Sequence, residues 1–238
     1  MKRSELDLRV YLVTDRGYIG DRSLETVVAQ AVKGGVTVVQ LREKECSTRE
    51  FVDLARRLKA ILTPLKVPLI INDRLDVVQA IGADGVHLGQ KDMSYEEARR
   101  ILGRKPIIGL SVESMGDAEE AAEWDVDYLG VSPIFATPTK TDTGRPWGLD
   151  GLRELRAFTT QTLVAIGGIN AENAAQVVKA GADGVAVVSA ICASDDPEGA
   201  TRSIEAAIEH GLTGRKNRET PGNTEDAEST GGPTGSLP

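Results

Sequence analysis

The residues best suited to chemistry alternate along one short run. Gln40, Arg42 and Lys44 are spaced by two, with Leu41 and Glu43 between them. On an extended chain successive side chains point to opposite faces. The amide and the two cations therefore share a face with Val36 and Val38, and Leu41 and Glu43 face the other way. A guanidinium fork beside a flexible ammonium suits a diphosphate; the same run also reads as a solvated loop end. Two carboxylates, Asp73 and Asp92, follow two later apolar runs at equivalent points. Beside a diphosphate they require a cation, and Mg2+ fits because it takes few protein oxygens and completes its shell with phosphate and water. Their other reading is as helix caps.

A second anion site is expected further along. In Gly167-Gly168-Ile169-Asn170, small residues allow backbone N–H groups to approach a phosphate at the start of a helix expected near Asn170. The alternative is a tight turn without a ligand. Ser189 adds a hydroxyl after the last apolar run. Between these sites lies a long Pro- and Thr-rich segment, 132–146, in which Thr137, Thr139 and Lys140 either grip phosphate oxygens or face water. His87, inside an apolar run, reads as a hydrogen-bonded core histidine. Cys46 and Cys192 have neither disulfide nor metal-ligand spacing, and no motif makes either a nucleophile. Met93, Met115, Trp124 and Trp147 read as packing.

These groups need a scaffold that brings strand ends together. Eight β-like runs are expected, at 8–14, 36–41, 68–71, 84–88, 106–110, 128–131, 163–166 and 184–188. Helical spacing separates them, as in Leu24, Val27, Val28, Ala31 and Val32 or Leu54, Ala55, Leu58, Ile61 and Leu62. Ser47-x-x-Glu50 and Ser94-x-x-Glu97 have the form of capping boxes. Gly82-Ala83-Asp84-Gly85-Val86 recurs as Gly181-Ala182-Asp183-Gly184-Val185, with weaker relatives starting at Gly34 and Trp124. A two-strand, two-helix unit present four times closes as a (β/α)8 TIM barrel, an α/β fold of one domain. An open doubly wound sheet does not explain that spacing, and no Gly-x-Gly-x-x-Gly follows the first run. In such a barrel the site lies at the C-terminal strand ends, which is where the polar residues above fall.

Composition agrees. With 40% hydrophobic and only 4% aromatic residues, the core is Val, Ile, Leu and Ala, as in a parallel sheet buried on both faces. A net charge of −8 argues against nucleic acid or an anionic membrane as partner, without excluding a small anionic substrate at a local basic cluster. The first residues are charged and lack an apolar signal core, and no run is apolar enough to span a bilayer, so a cytoplasmic setting is expected. Residues 1–211 are read as the barrel and 212–238, rich in Gly, Pro, Thr, Ser and Glu, as a disordered tail. Two anion sites in one barrel imply two small anionic substrates and a joining reaction. Assembly as a homo-oligomer is compatible with all of this.

The ordered motifs Gln40–Lys44, Ile71-Asn72-Asp73, Gly85-Val86-His87-Leu88-Gly89-Gln90-x-Asp92, Gly109–Val112, Pro133-x-Phe135-x-Thr137-x-Thr139-Lys140 and Ile166–Ile169 resemble the thiamine-phosphate synthase family from about Tyr11 to Ala207. The resemblance implies that Gln40, Leu41, Arg42, Glu43, Lys44 and Asn72, with Ser111 and Lys140, hold an aminopyrimidine diphosphate. It implies that Asp73 and Asp92 bind one Mg2+. It implies that Thr137, Pro138, Thr139, Gly168, Val188 and Ser189 hold a thiazole phosphate or its carboxylated form. Arg42, Lys44, Ser111 and Lys140 would serve catalysis by stabilising a departing pyrophosphate in a dissociative displacement. Ala136 stands where the family often has Pro, and Lys91 where an acidic residue is common. Two other readings remain. A thiazole tautomerase would need a His two residues after Ser111, where this chain has Glu113. A non-catalytic phosphate-binding barrel would have no use for Asp73, Asp92 and Lys140 on one rim.

Overall fold

The computed structural model describes residues 6–137 and 145–219. The eight apolar runs form eight parallel strands: β1 (Val10–Val13), β2 (Val38–Leu41), β3 (Leu69–Asn72), β4 (Gly85–Leu88), β5 (Ile107–Val112), β6 (Tyr128–Val131), β7 (Leu163–Ile166) and β8 (Gly184–Val187). Each pairs with its neighbours in sequence, and β8 pairs with β1 to close the barrel. Parallel neighbours need a long connection, and helices supply it. They are α1 (Leu24–Lys33), α2 (Thr48–Leu62), α3 (Leu75–Ile81), α4 (Tyr95–Leu102), α5 (Met115–Ala121), α6 (Gly148–Phe158), α7 (Ala174–Lys179), the short α8 (Ser189–Cys192) and α9 (Pro197–Glu219).

Alternation along each strand divides the apolar residues into two cores. Val10, Leu12, Val39, Leu41, Leu69, Ile71, Val86 and Leu88 point outward and meet the helices. Tyr11, Val13, Val38, Ile70, Ile107, Tyr128, Val164 and Ala186 fill the interior. Each such aliphatic burial contributes roughly 1.5–3 kcal/mol. The inner face of β2 begins at Val38; Val36 precedes the strand and belongs to the outer core.

The repeat noted in the sequence has a structural cause, in a slightly different alignment. Leu69 N–H donates to Asp84 Oδ2 at 2.9 Å, and Asp84 N–H donates back to Leu69 O at 3.0 Å. Asp127 makes the same pair with Ile108, and Asp183 with Leu163. Thr37 does so with Val10 through its hydroxyl, at 3.1 and 2.8 Å. Each clamp ties an even strand to the odd strand before it at the N-terminal rim. Thr37 and Asp127, one position beyond where the sequence alignment put them, are therefore the equivalents of Asp84 and Asp183. The repeat glycines serve the other side. A Cβ at Gly85 would lie 2.3 Å from Ile107 O, and one at Gly184 1.9 Å from Leu8 O, so both allow the following strand to close in.

Helix starts agree in part with expectation. Ser47 and Glu50 form the full reciprocal box. Ser94 caps α4 by accepting from Glu97 N–H, but Glu97 does not return to the Ser94 amide. Two boundaries need correction. The helix expected near Asn170 begins at Ala174, because Asn170 and Asn173 fold the intervening residues into a turn; Asn173 Oδ1 accepts from Asn170 N–H at 2.9 Å. The tail expected from residue 212 is helical to Glu219. There Leu212 packs against the outer core, the bare Gly211 allows close approach to α7, and Arg215 donates to Ala182 O. Polar composition concealed these anchors. Residues 220–238 lie outside the described part.

Candidate active site

Where the C-terminal ends of the strands open, a cavity of about 540 Å³ is lined by residues from every strand. That volume suits small-molecule substrates. Gln40, Asn72, His87 and Ser111 project into it from four successive strands, β2 to β5, at the positions where the inner faces turn polar. Gln40 is 4% exposed, and Asn72 and Ser111 are each 9% exposed. Leu41 is fully buried in the outer core, and Glu43 turns away to pair with Arg16 at 2.6 Å. Neither side chain reaches the cavity, so any part they play there runs through their backbone.

Arg42 and Lys44 stand at the cavity rim. Each is held by a carboxylate: Arg42 by Asp15 at 3.2 Å and Lys44 by Asp73 at 2.9 Å. Asp73 directly follows β3 with φ 62°, a left-handed conformation that costs a non-glycine residue about 1 kcal/mol or more and that Asp tolerates better than most. Its N–H donates to His87 O across to β4 at 2.9 Å, which fixes this bend. Asp92 folds back to accept from Gly89 N–H at 2.8 Å. Neither caps a helix: α3 starts from Arg74 without a side-chain cap, and Ser94 caps α4. The two carboxylates instead face each other. Burial, followed by the hydrogen bond and charge of Asp73, pushes the Asp92 carboxyl pKa up. Two crowded carboxylates beside two cations and an open cavity make a donor set that fits a hard divalent cation with phosphate and water as remaining ligands. No cluster of three or more His, Cys, Asp or Glu occurs among the described residues, so protein oxygens alone would not enclose one.

The opposite side of the cavity is formed by Gly167, Gly168, Val188, Ser189 and Ala190. Both glycines have positive φ, 105° and 67°. A Cβ on Gly167 would lie 2.8 Å from Pro133 Cβ, and one on Gly168 2.9 Å from Phe135 Cβ. The bare backbone is thus needed for the β6 loop, which is fastened here by Ile134 N–H to Ile166 O and Phe135 N–H to Gly167 O. The first turn of α8 starts at Ser189 on the cavity wall. Thr137 also lines the cavity, whereas Pro138, Thr139 and Lys140 lie outside the described residues.

Sequence reasoning ranked His87 as core and passed over Tyr11 and Tyr128. His87 is hydrogen-bonded as expected, but it is also a cavity wall. Its Nε2 lies 2.9 Å from Ser111 Oγ and its Nδ1 3.0 Å from Tyr128 Oη. The missed signal was tyrosine on the inner face of a strand, where a buried hydroxyl requires a partner. Cys192 is buried, which pushes its thiol up to about 11, and the less buried Cys46 thiol is also raised; neither lines the cavity.

A closed (β/α)8 barrel with a polar-lined cavity at the C-terminal strand ends is the architecture of barrel enzymes that act on small molecules. Comparison with known proteins narrows this. The thiamine monophosphate synthase family model matches residues 10–191. The chain is 61% identical over 190 residues to a thiamine-phosphate synthase of Albidiferax ferrireducens, covering 80% of this chain and 87% of that one. It is 55% identical over 199 residues to one of Leptospira biflexa, covering 82% and 95%. Among solved structures, thiamine phosphate pyrophosphorylase from Pyrococcus furiosus superposes with TM-score 0.80 at 37% identity, over 87% of this chain and 98% of that one. The chain belongs to the thiamine monophosphate synthase family. It is a transferase with thiamine-phosphate synthase activity that acts on small molecules. No helix among the described residues is long and apolar enough to cross a membrane.

Proposed function

We propose that this cavity joins an aminopyrimidine carried as its methyl diphosphate to a thiazole phosphate by a dissociative, Mg2+-assisted displacement in the cytoplasm. The observation that supports it most is the placement of two chemically different anion-receiving ends on one cavity: Arg42 and Lys44 with the Asp73–Asp92 pair on one side, Gly168 and Ser189 on the other. The polar floor of Gln40, Asn72 and Ser111 lies between them and takes the pyrimidine ring.

The pyrimidine methylene–oxygen bond breaks with its electron pair leaving on pyrophosphate. The thiazole nitrogen then gives its lone pair to the methylene carbon, forming the new C–N bond. The amino group of the pyrimidine spreads the intervening positive charge, so no protein nucleophile is needed. Arg42 and Lys44, joined by Lys140, stabilise the charge on the departing group, and fixed positioning of both rings supplies the rest of the acceleration. Asp73 and Asp92 would hold Mg2+, which when bound neutralises charge on the diphosphate. Thr137, Pro138 and Thr139 complete the thiazole phosphate site in this reading. Glu113 is a cavity residue at the position where a tautomerase would need histidine, which disfavours that alternative.

Purified protein with both substrates and Mg2+ is expected to yield thiamine phosphate and pyrophosphate in equal amounts. Excess chelator and Lys140→Ala should each abolish this. A folded chain that forms neither product overturns the proposal.

A further inference from the structure

Along the cavity lining, five side chains from five strands make one continuous hydrogen-bonded row. Gln40 Nε2 donates to Tyr11 Oη at 2.9 Å. Tyr11 Oη lies 2.7 Å from Tyr128 Oη, Tyr128 Oη 3.0 Å from His87 Nδ1, and His87 Nε2 2.9 Å from Ser111 Oγ. The row is held in place. Tyr11 meets Tyr128 edge-on at 5.7 Å, and the His87 and Tyr128 rings stack at 5.6 Å. Both rings occupy space left by glycines. A Cβ on Gly109 would lie 2.0 Å from Tyr128 Cζ, and one on Gly130 2.8 Å from His87 Cε1.

Each hydroxyl in such a row has one proton to give, so pairing every proton within the row runs all the links one way. Tyr11 accepts from Gln40, and its own proton is then paired within the row only if it goes to Tyr128. Tyr128 then donates to His87 Nδ1, which makes the neutral imidazole carry its proton on Nε2. His87 donates to Ser111 Oγ, and the Ser111 proton is directed elsewhere, toward the cavity. Full burial pushes the pKa of both phenols up, so they keep their protons. At the other end Gln40 has used an N–H on Tyr11 and keeps its carbonyl oxygen for the cavity. The opposite polarity would reverse every link and present an N–H from Gln40 and a lone pair from Ser111.

We propose that this row is a one-directional positioning unit, in which Tyr11, Tyr128 and His87 make Gln40 an acceptor and Ser111 a donor toward the substrate ring. An acceptor and a donor on one floor match the edge of an aminopyrimidine, whose amino group donates and whose ring nitrogen accepts. They oppose the edge of the corresponding pyrimidinone, where an oxo group accepts and a ring N–H donates. The inference rests on the pyrimidine reading of the preceding subsection and adds three residues that act through Gln40 and Ser111.

The test is calorimetric binding of the aminopyrimidine diphosphate and of its oxo analogue, without the thiazole phosphate. The wild-type protein is expected to prefer the amino form by about a hundredfold or more, because the oxo form leaves buried groups unpaired. Tyr128→Phe cuts the row in the middle and lets each half reorient. The preference should fall at least about tenfold, while the melting profile shows a folded chain. His87→Gln, whose amide nitrogen can replace Nε2 at Ser111, should retain more of the preference than His87→Asn, which reaches only the Nδ1 side. Equal loss of affinity for both ligands in Tyr128→Phe, with the ratio kept, would reduce the row to a structural role and overturn the inference. So would a wild-type protein that binds both forms alike. Failure of the underlying reading looks different: neither ligand binds, and no thiamine phosphate forms in the coupled assay.

Discussion

At the N-terminal rim of the barrel, Thr37, Asp84, Asp127 and Asp183 each make the same two hydrogen bonds to the strand before them. At the C-terminal rim the cavity is walled by Gln40, Asn72, His87, Ser111, Gly130 and Ile166, one from each of six successive strands and no two alike. The first end solves one problem four times: strand starts in a closed barrel have amides that must be satisfied away from water. The second, in the proposed reaction, must distinguish two substrates and their ends, so repetition there would have no use. On that proposal stability and reaction fall to opposite ends of the same strands, as the fold permits.

Perturbing each end separately tests this division. The largest effect should come from removing divalent cation. Excess chelator is expected to lower kcat by about 10³ or more, and to leave the melting temperature nearly unchanged, because Lys44 and the Gly89 amide still hold the two carboxylates. A parallel fall in melting temperature would make the cation structural. Next, Arg42→Ala should reduce kcat/KM by about 10²–10³, with little change in stability because its partly exposed pair with Asp15 contributes at most about 1 kcal/mol. At the other end, Gly184→Ala forces a Cβ onto Leu8 O and should cost about 3 kcal/mol, read as a lower denaturation midpoint. Asp183→Ala leaves Leu163 N–H without its acceptor. A loss of about 1–3 kcal/mol is expected, with kcat/KM within about threefold of the parent; a hundredfold loss of activity would show that the two ends are coupled. The smallest change, Ser47→Ala, removes the capping box of α2 and should lower stability by about 1 kcal/mol without affecting turnover.

The two ends also differed in how legible they were. The N-terminal end announces itself because a repeated task leaves a repeated string: Gly-Ala-Asp-Gly-Val appears twice, and all eight strands followed from its spacing and from apolar runs. Only the alignment of Thr37 and Asp127 needed the structure, since a hydroxyl and a carboxylate doing one job do not look alike in sequence. Alternation grouped Gln40, Arg42 and Lys44, and all three line the cavity, although β2 ends at Leu41 and the two cations stand beyond it. Asp73 and Asp92 were expected as a pair from their equivalent places after neighbouring strands; what the sequence did not show is how they meet, through a left-handed turn after β3 and a folded-back loop after β4. Tyr11, Tyr128 and His87 were hidden for another reason. A buried aromatic on a strand looks the same whether its polar tip serves a network or merely avoids water, and only three-dimensional contact separates the two. The Gly167-Gly168 pair was read for its backbone amides, yet its bare Cα atoms are explained first by the Pro133 and Phe135 loop lying against them.

The four clamps also divide the barrel into quarters. Each joins β1 to β2, β3 to β4, β5 to β6 or β7 to β8. The seams between quarters at this rim are crossed by backbone bonds: Val39 N–H to Pro68 O, Ile107 N–H to Asp84 O, Leu129 N–H to Thr162 O and Val185 N–H to Arg9 O. A chain cut at a seam, with its original ends joined by a linker, keeps every clamp whole; a cut within a quarter separates the two halves of one clamp in the chain. The molecule is in this sense an assembly of four like parts in a single covalent thread, and the places where the thread can be reopened are marked by the strands that share no clamp.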